Sequence, residues 1–455
     1  MTAATKSLKD FCKVASAQDD GDFVGVNFDG KEFKVVFPIG YRIESDSTDA
    51  ELRKGIRALL HSFAHTQSVE SDFASPRAFH SNGESMPFPI HTYLHVVRYF
   101  LSYGYYREQE TIYRDHGGGK IHWGRTIKQV KPQVVDANVV YLTQMRRKSF
   151  ADDRSLIARV FHYCAWRSFN ELGCILYDVS VPKPDIEFNE SLFESVIHDA
   201  LDRTFNERSI LLFRNMLDLV KCWGHNEHSK GFRYGTKEFH VVWEKMVDSV
   251  FGNVGNKEDY NPKLVYNTRA KDSPHPIIPD TIMILGKDEM FILDSKYYKF
   301  AMGEHPDNSG LPGSDSILKQ IAYARYAQNM HKGSRIYNAF VMPYNERFSE
   351  AFRYPCEGKA VDSDAMQSTE HSASSGESVL PMCIAGYCDA TALAPTHSTP
   401  DNSCTDDAET RQVPFYKILL VLIDTTALLN HFADIKKDDA RNALANMIHY
   451  AQRRS

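Results

Sequence analysis

Three charged side chains border two hydrophobic segments that have the composition of buried strands. The segment TIMIL (281–285) follows Asp280, and the segment MFILD (290–294) ends at Asp294, with Lys296 two residues further on. Side chains alternate between the two faces of a strand, so Asp294 and Lys296 are expected on the same side. The pattern therefore predicts a carboxylate and an ammonium group side by side.

The short connection between the two segments predicts a β-hairpin. Residues 286–289 suit a four-residue hairpin loop, which would set Thr281 opposite Asp294. Asp280 would then lie beside Asp294. Two carboxylates and the lysine are expected to converge at one end of an otherwise apolar hairpin.

This set of groups indicates metal-assisted hydrolysis of a phosphodiester. Neighbouring carboxylates repel each other unless a positive charge lies between them. Hard oxygen ligands of this kind suit Mg²⁺, with Mn²⁺ as a possible substitute. We expect Asp280 and Asp294 to bind the metal. Lys296 would position or activate a water molecule, or neutralise charge that develops on the phosphate.

Two predicted helices flank the hairpin in sequence and add candidate site residues. In FHVVWEKMVDSVFG (239–252) the apolar residues recur with helical spacing, and Glu244 lies beside the apolar stripe, where it could be a third acidic ligand. In SDSILKQIAYARYAQNM (314–330), Gln320 and Tyr323 share a helix face. Gln320 could contact a phosphate or the metal-bound water.

The hairpin by itself also allows a purely structural interpretation. A single Asp-x-Lys after a strand is a weak signal, because a carboxylate at the end of a strand is usually a solvated turn residue. The order of the elements favours the catalytic interpretation: an acidic helix, a Pro-Asp strand, an Asp-x-Lys strand and a helix that carries a glutamine.

That order resembles the PD-(D/E)xK nuclease superfamily, in which a mixed sheet is flanked by helices. Pro279-Asp280 matches the first motif and Asp294-Ser295-Lys296 the second. Over the whole chain, four segments resemble the LlaJI-type restriction endonuclease family, which is related to the McrC nuclease subunit: FVGVNFDGKEFKVVFPIGY, GKIHWGRTIKQVKP, YGTKEFHVVWEKMVDSVFG and PDTIMILGKDEMFILDSKYY.

The resemblance implies a DNA endonuclease subunit of a restriction-modification system that acts on double-stranded DNA. It also implies a partner, an AAA+ GTPase of the McrB type, contacted through the amino-terminal third. The segment GGGK (117–120) lacks the spacing and the Ser or Thr of a phosphate-binding loop, so we interpret it as a turn.

A basic stretch offers a surface for a polyanion. Residues 93–168 contain thirteen basic and six acidic residues. Trp123 and Arg125 in this stretch, and Tyr297 and Lys299 beside the candidate site, are expected to contact DNA. Two alternatives stay open: a DNA-binding or ring-regulating subunit with a degenerate nuclease fold, and an RNA or repair nuclease with the same core.

The expected fold class is mixed α/β, with a C-terminal restriction-endonuclease-like core. We expect five segments: a β-rich element (1–48), a mostly helical basic region (49–229), the first part of the nuclease core (230–355), a disordered acidic and serine-rich insertion (356–413), and a closing strand with a C-terminal helix (414–455). Residues 22–43 predict a hairpin around Asp29-Gly30. Neither a membrane-spanning segment nor a secretory signal is recognisable, so the expected location is the cytoplasm.

Overall fold

The computed structural model describes residues 7–15, 23–28, 32–69, 90–136, 138–225, 232–260, 263–264, 275–276, 278–300, 302, 310–345, 380–394 and 414–454. The chain divides into two compact units, which we call unit 1 (1–80 and 233–455) and unit 2 (81–232). The division into five segments expected from the sequence stays a prediction. The mixed α and β class is confirmed by the elements of both units.

Strands and helices follow one another along the chain. Up to the end of unit 2 they are β1 (Cys12–Val14), β2 (Val24–Phe28), β3 (Phe33–Phe37), α1 (Asp49–Val69), α2 (Ile90–Tyr103), β4 (Glu108–Arg114), β5 (Lys120–Ile121), α3 (Trp123–Gln129), β6 (Gln133–Val135), β7 (Asn138–Val140), β8 (Arg146–Asp152), α4 (Leu156–Ser168), α5 (Cys174–Leu176), α6 (Glu190–Arg203) and α7 (Glu207–His225).

The remaining elements belong to unit 1. They are β9 (Phe232–Thr236), α8 (Phe239–Phe251), β10 (Lys263–Leu264), β11 (His275–Pro276), β12 (Thr281–Leu285), β13 (Glu289–Ser295), α9 (Ser314–Met330), β14 (Arg335–Tyr344), β15 (Met382–Asp389), β16 (Lys417–Asp424), α10 (Thr425–His431) and α11 (Lys437–Arg454). Short 3₁₀ helices span Leu8–Phe11, Lys257–Tyr260, Thr391–Leu393 and Pro414–Tyr416, and a π-helix spans Phe169–Gly173.

A small sheet at the amino terminus of unit 1 has the strand order β1-β3-β2-β9. Strands β2 and β3 are antiparallel, with Phe28 opposite Phe33, which confirms the hairpin. Its expected Asp29-Gly30 turn lies outside the described residues. The last strand of this sheet, β9, leads directly into α8, so the sheet is continuous in sequence with the helix that carries Glu244.

The central sheet of unit 1 has the strand order β12-β13-β14-β16-β15. The inner strands β13, β14 and β16 run parallel, and the outer strands β12 and β15 run antiparallel to their neighbours. Strands β14 and β16 are buried almost throughout, as their continuous apolar sequences require. This mixed sheet is the core expected from the nuclease resemblance.

Helices cover both faces of this sheet. One face carries Ile282, Ile292 and Phe340, which pack in one core with Ile321 and Ala324 of α9. Side chains alternate, so Phe291 lies on the opposite face, where its ring is 5.8 Å from that of His449 in α11. On that face Trp243 of α8 donates from Nε1 to the carbonyl of Val341 at 3.4 Å.

The prediction that residues 356–413 form a disordered insertion is wrong for part of that segment. Within 356–413, residues Met382–Asp389 form strand β15, which pairs antiparallel with β16 from Met382 opposite Ile423 to Asp389 opposite Lys417. The serine-rich and acidic composition of the whole segment outweighs this one strand, although MCIAGYCD itself is mostly apolar. The insertion therefore contributes an edge to the core sheet.

Unit 2 contains a helical part in which α2, α4, α6 and α7 pack on one another. At its centre Trp223 donates from Nε1 to the hydroxyl of Tyr93 at 2.6 Å, and Arg167 pairs through Nε with Glu171 Oε1 at 2.6 Å. These contacts satisfy polar groups that would be costly to bury alone. The expected helices are confirmed here.

The expectation of a mostly helical region is wrong at four places: Glu108–Arg114, Gln133–Val135, Asn138–Val140 and Arg146–Asp152. These residues form β4, β6, β7 and β8 instead; β4, β8 and β5 make one sheet, and β6 and β7 pair separately. Apolar residues on β6 and β7 such as Val134 and Val139 are exposed, so burial imposes no pattern of period two on them. The turn expected at GGGK is confirmed: Gly117 and Gly119 have positive φ and lead into β5.

Among the described residues, no helix combines the length and the apolar character that a membrane crossing requires.

Candidate active site

Asp280 and Asp294 lie side by side at one end of the hairpin formed by β12 and β13. Thr281 is opposite Leu293 and Leu285 is opposite Glu289, so the next position places Asp280 opposite Asp294. The expected convergence is confirmed, but the expected pairing of Thr281 with Asp294 is wrong by one residue. Its cause is the loop, which has three residues instead of four.

That loop begins with a glycine in the left-handed region. Gly286 has φ of +63°, a backbone conformation that residues with a side chain disfavour. Gly286, Lys287 and Asp288 form the loop, and the first pair of the hairpin is Leu285 with Glu289. The shorter loop brings the two carboxylates into direct register.

The side chain of Asp280 also accepts a hydrogen bond from the main chain of β13. Its Oδ2 accepts from the amide of Ser295 at 2.8 Å. Lys296 lies on the same side as Asp294, and its Nζ is 2.6 Å from Asp294 Oδ2. Asp294 is 8% exposed, so this ion pair is largely shielded from water. The predicted arrangement of two carboxylates and one ammonium group is present.

The surroundings shift the protonation of the site. Burial, together with the charges of Asp294 and Glu244, raises the pKa of Asp280 to about 7. Burial acts to lower the pKa of Lys296, but the charge and hydrogen bond of Asp294 outweigh it, and the net pKa is raised. The lysine therefore keeps its proton at neutral pH.

Glu244 lies on α8 within electrostatic reach of the same groups. Burial raises its pKa, the charges of His240 and Lys296 lower it and that of Asp294 raises it. In the described part of the chain, however, no three acidic, histidine or cysteine side chains come close enough to share one ion. Glu244 as a third metal ligand stays a prediction.

Two adjacent carboxylates fit Mg²⁺ without a third protein ligand. Proteins usually hold this ion through one or two carboxylates, several waters and a substrate phosphate. Burial and the charges of Asp294 and Glu244 raise the pKa of Asp280, and a cation bound between the carboxylates would favour its ionised form. Asp280 and Asp294 are thus the residues that could hold the metal.

Gln320 is directed into the sheet. It is 1% exposed, and its Nε2 donates to the carbonyls of Ile292 at 2.8 Å and Ala339 at 3.3 Å. This amide therefore links β13 to β14. Its contact with a phosphate or a metal-bound water stays a prediction, and its donors are already used within the fold.

Tyr297 and Lys299 follow the candidate site in sequence. The hydroxyl of Tyr297 accepts from the amide of Ile39 at 2.8 Å, and its ring lies 5.3 Å from that of Phe239. Tyr297 therefore attaches the amino-terminal segment to the core. Lys299 is exposed. Contact of either residue with DNA stays a prediction.

Trp123 and Arg125 belong to unit 2. Trp123 is 53% exposed at the start of α3, and the guanidinium of Arg125 lies 3.8 Å from the ring centre of Tyr113. Tyr113 and Lys120 both pair with Arg147 across the β4-β8-β5 sheet, so these side chains share one face. We call Tyr113, Lys120, Arg125 and Arg147 the basic face of unit 2.

Two residues that the sequence did not single out as site residues contact the strand end at Asp280. The hydroxyl of Tyr323 donates to the carbonyl of Ile278 at 3.1 Å, and Lys257 Nζ donates to the carbonyl of Asp280. Helical spacing indicates Tyr323 only as a neighbour of Gln320. Lys257 lies in the polar segment GNKEDY, where nothing in the sequence distinguishes it from a solvated lysine.

Comparison with known proteins shows to which family this chain belongs. The profile of the LlaJI restriction endonuclease family matches residues 23–354. Component YdjA of the type II restriction enzyme BsuMI from Bacillus subtilis (strain 168) is 27% identical over 256 residues, which are 53% of this chain and 55% of that protein. This chain thus matches little more than half of that relative's length.

A solved assembly of Thermococcus gammatolerans McrB AAA+ hexamers with bound McrC contains a chain that is 15% identical to this one. The match has a TM-score of 0.33 and covers 94% of this chain and 83% of the other. Since the family profile matches well over half of the sequence, this chain belongs to the LlaJI restriction endonuclease family.

Proposed function

We propose that this chain is a Mg²⁺-dependent DNA endonuclease subunit of a restriction system, with its active site at Asp280, Asp294 and Lys296. The observation that carries the proposal is the convergence of these three side chains at one end of the β12–β13 hairpin. Membership of a restriction endonuclease family supports DNA as the substrate class.

Each side chain has a distinct role in the proposed reaction. Asp280 and Asp294 would hold Mg²⁺, with Mn²⁺ as a possible substitute. A bound ion of this kind supplies Lewis-acid chemistry and a nucleophilic water at neutral pH. Asp280 releases its proton near pH 7, so it is available as a ligand at that pH and above.

Lys296 would act as a cation. Its raised pKa keeps the ammonium group charged, which disfavours a role as general base. A fixed positive charge beside the scissile phosphate stabilises the charge that develops on the phosphate and leaving oxygens. Of the roles expected for this lysine, neutralisation of charge therefore has the better support.

The proposal includes a surface for DNA on unit 2. On the basic face, Arg147 lies directly opposite Lys120, and Arg146 lies opposite Arg114 on the reverse side of the sheet. Like charges opposite each other across strands are destabilising, so a polyanion that neutralises them is the kind of ligand this sheet favours. The same surface is what a binding-only subunit would use.

The proposed partner is an AAA+ GTPase of the McrB type. The support for it is the resemblance of the sequence to McrC-related proteins. Unit 2 also exposes apolar side chains on β6 and β7, including Val134 and Val139, which a protein partner could cover.

Substitution of Lys296 by Met tests the catalytic role against the binding-only alternative. We expect cleavage of plasmid DNA to fall by about 10²- to 10³-fold, because the fixed charge is removed. The assay contains Mg²⁺, GTP and an AAA+ GTPase of the McrB type from the same genome. DNA affinity, measured in Ca²⁺ by fluorescence anisotropy, should stay near that of the parent. A parent protein that binds DNA but gives no metal-dependent product would support the binding-only subunit instead.

A further inference from the structure

We propose that Lys257 is a positioning residue for the candidate active site. Its side chain holds the main chain of Asp280 next to helix α8. This inference rests on the proposed role of Asp280 as a metal ligand. Lys257 would not touch the metal or the DNA, and it would act only through the place that it gives to Asp280.

Lys257 contacts two elements of the site at once. It begins the 3₁₀ helix Lys257–Tyr260, and its Nζ donates to the carbonyl of Asp280. The same Nζ lies 2.8 Å from Asp248 Oδ2 on α8. An ammonium group has three donors, so it can satisfy both partners in one geometry. Lys257 therefore links the start of β12 to α8.

The link reaches the acidic residue of α8. Asp248 lies one helical turn after Glu244, on the same side of α8. Lys257 thus connects the main chain of Asp280 to the helix that carries Glu244, whose charge contributes to the raised pKa of Asp280. Movement of either element would change the distance between these two carboxylates.

Asp280 is fixed from two directions. Its carbonyl accepts from Lys257, and its carboxylate accepts from the amide of Ser295. These two hydrogen bonds restrain both ends of the residue. Without the first, the carboxylate would keep one hydrogen bond but could turn about it.

The strand that follows Asp280 needs such support because it lies at the edge of the sheet. Among the described strands, β12 pairs only with β13, and its outer edge is covered by the segment between α8 and Lys257. Asn253 Nδ2 donates to the carbonyl of Ile284 at 2.7 Å, and Asn253 Oδ1 accepts from the Ile284 amide at 2.9 Å. The amide of Asn253 donates to the carbonyl of Ile282 at 3.2 Å.

Lys257 continues this series of hydrogen bonds by one more step. The carbonyls of Ile284, Ile282 and Asp280 lie on the same outer edge of β12, since carbonyls alternate along a strand. The first two are held by Asn253 and the third by Lys257. The segment after α8 therefore fixes the outer edge of β12 by hydrogen bonds as far as Asp280, the proposed metal ligand.

Binding of Mn²⁺ to the full-length protein tests this inference. Free Mn²⁺ would be measured by electron paramagnetic resonance for the parent, Lys257→Met, Lys257→Arg, Asp280→Asn and Arg441→Gln, together with the thermal midpoint of each. Arg441 is the matched control: it donates from Nη2 to the carbonyl of Gly252 at 2.7 Å and from Nε to that of Phe251 at 3.0 Å. It thus supports the end of α8 without touching Asp280.

We expect Lys257→Met to weaken Mn²⁺ binding by about 10- to 100-fold, as removal of a residue that orients a ligand does. Lys257→Arg should recover most of the affinity. Arg441→Gln should lower the thermal midpoint and leave Mn²⁺ affinity unchanged. Parental affinity in Lys257→Met, or an equal decrease in Arg441→Gln, would overturn the inference.

The Asp280→Asn variant separates this inference from the proposed function. If Asp280→Asn fails to bind Mn²⁺ and Lys257→Met binds it as the parent does, only the role of Lys257 is wrong. If Asp280→Asn binds Mn²⁺ as tightly as the parent, the metal site itself is wrong, and the role of Lys257 is wrong with it.

Discussion

At the scale of single residues, Asp280 combines burial with a neighbouring like charge. These two effects raise its pKa to about 7, far above that of a solvated aspartate. In the folded protein without metal, Asp280 therefore holds a proton that the unfolded chain releases near pH 4. The stability of the fold therefore depends on the protonation of Asp280.

This difference in pKa predicts how stability changes with pH in the absence of metal. The stabilising contribution of protonated Asp280 is fully present below about pH 4 and disappears as pH rises through about 7. The free energy of unfolding of the parent should therefore fall between about pH 5 and pH 8 relative to that of Asp280→Asn. Urea denaturation in EDTA at both pH values measures the difference.

An exposed carboxylate of the same hairpin gives the control for that measurement. Asp288 lies in the loop between β12 and β13 and is exposed. The Asp288→Asn variant should change with pH as the parent does. The same slope in Asp280→Asn as in the parent would contradict the raised pKa.

The convergence of Asp280, Asp294 and Lys296 could be predicted from the sequence because strand alternation and hairpin pairing are geometric rules. The orientation of Gln320 could not, since helical spacing does not tell whether an amide faces a sheet or a ligand. The contact of Lys257 could not be predicted either, because its partner at Asp280 is a main-chain carbonyl, which every residue type carries.

At the scale of elements, Tyr297 joins the amino-terminal segment to the end of β13 in the central sheet through the amide of Ile39. The substitution Tyr297→Phe removes the hydroxyl group that accepts from the amide of Ile39, and this amide of a buried residue loses that partner. The free energy of unfolding should fall by about 1–3 kcal/mol. Urea denaturation measures the change, and Tyr298→Phe, at the exposed next position, should have no comparable effect.

A structural role for Tyr297 also predicts what happens to DNA binding. DNA affinity of Tyr297→Phe should equal that of the parent, because the hydroxyl is held by the main chain. A decrease in DNA affinity at unchanged stability would show that the direct DNA contact expected from the sequence is correct.

The core sheet and the helices around it were predictable because burial imposes clear patterns on them. Strand β14 reads as one apolar segment, and α8 shows a regular apolar stripe. The small strands of unit 2 were not predictable, since β6 and β7 are exposed on both faces. Strand β15 was concealed by the composition around it.

At the scale of the whole molecule, two compact units share one chain, and the proposed function gives each a task. Unit 1 carries the proposed catalytic residues, and unit 2 carries the basic face. If the basic face binds phosphates, Lys120→Gln and Arg147→Gln should each weaken DNA binding on any sequence. The slope of log K against log salt should become shallower by about 0.9 for each phosphate that the variant no longer neutralises.

Lys183→Gln is the matched control for those two variants, because Lys183 is an exposed lysine of the same unit outside the basic face. Its salt slope should equal that of the parent. Equal slopes in all four proteins would place the phosphate-binding residues elsewhere on the chain.

Metal-dependent cleavage of DNA by means of Asp280 and Asp294 is the activity proposed for this chain. Its most direct test is plasmid cleavage by the parent, Asp280→Asn, Asp294→Asn and Asp288→Asn, with the AAA+ partner and GTP, in Mg²⁺ and in EDTA. We predict cleavage by the parent and by Asp288→Asn in Mg²⁺ only, and a decrease of about 10²-fold or more in the other two variants. Cleavage at the parental rate by Asp280→Asn or Asp294→Asn would show that the proposed site is wrong, and cleavage by the parent in EDTA would show that the reaction needs no metal.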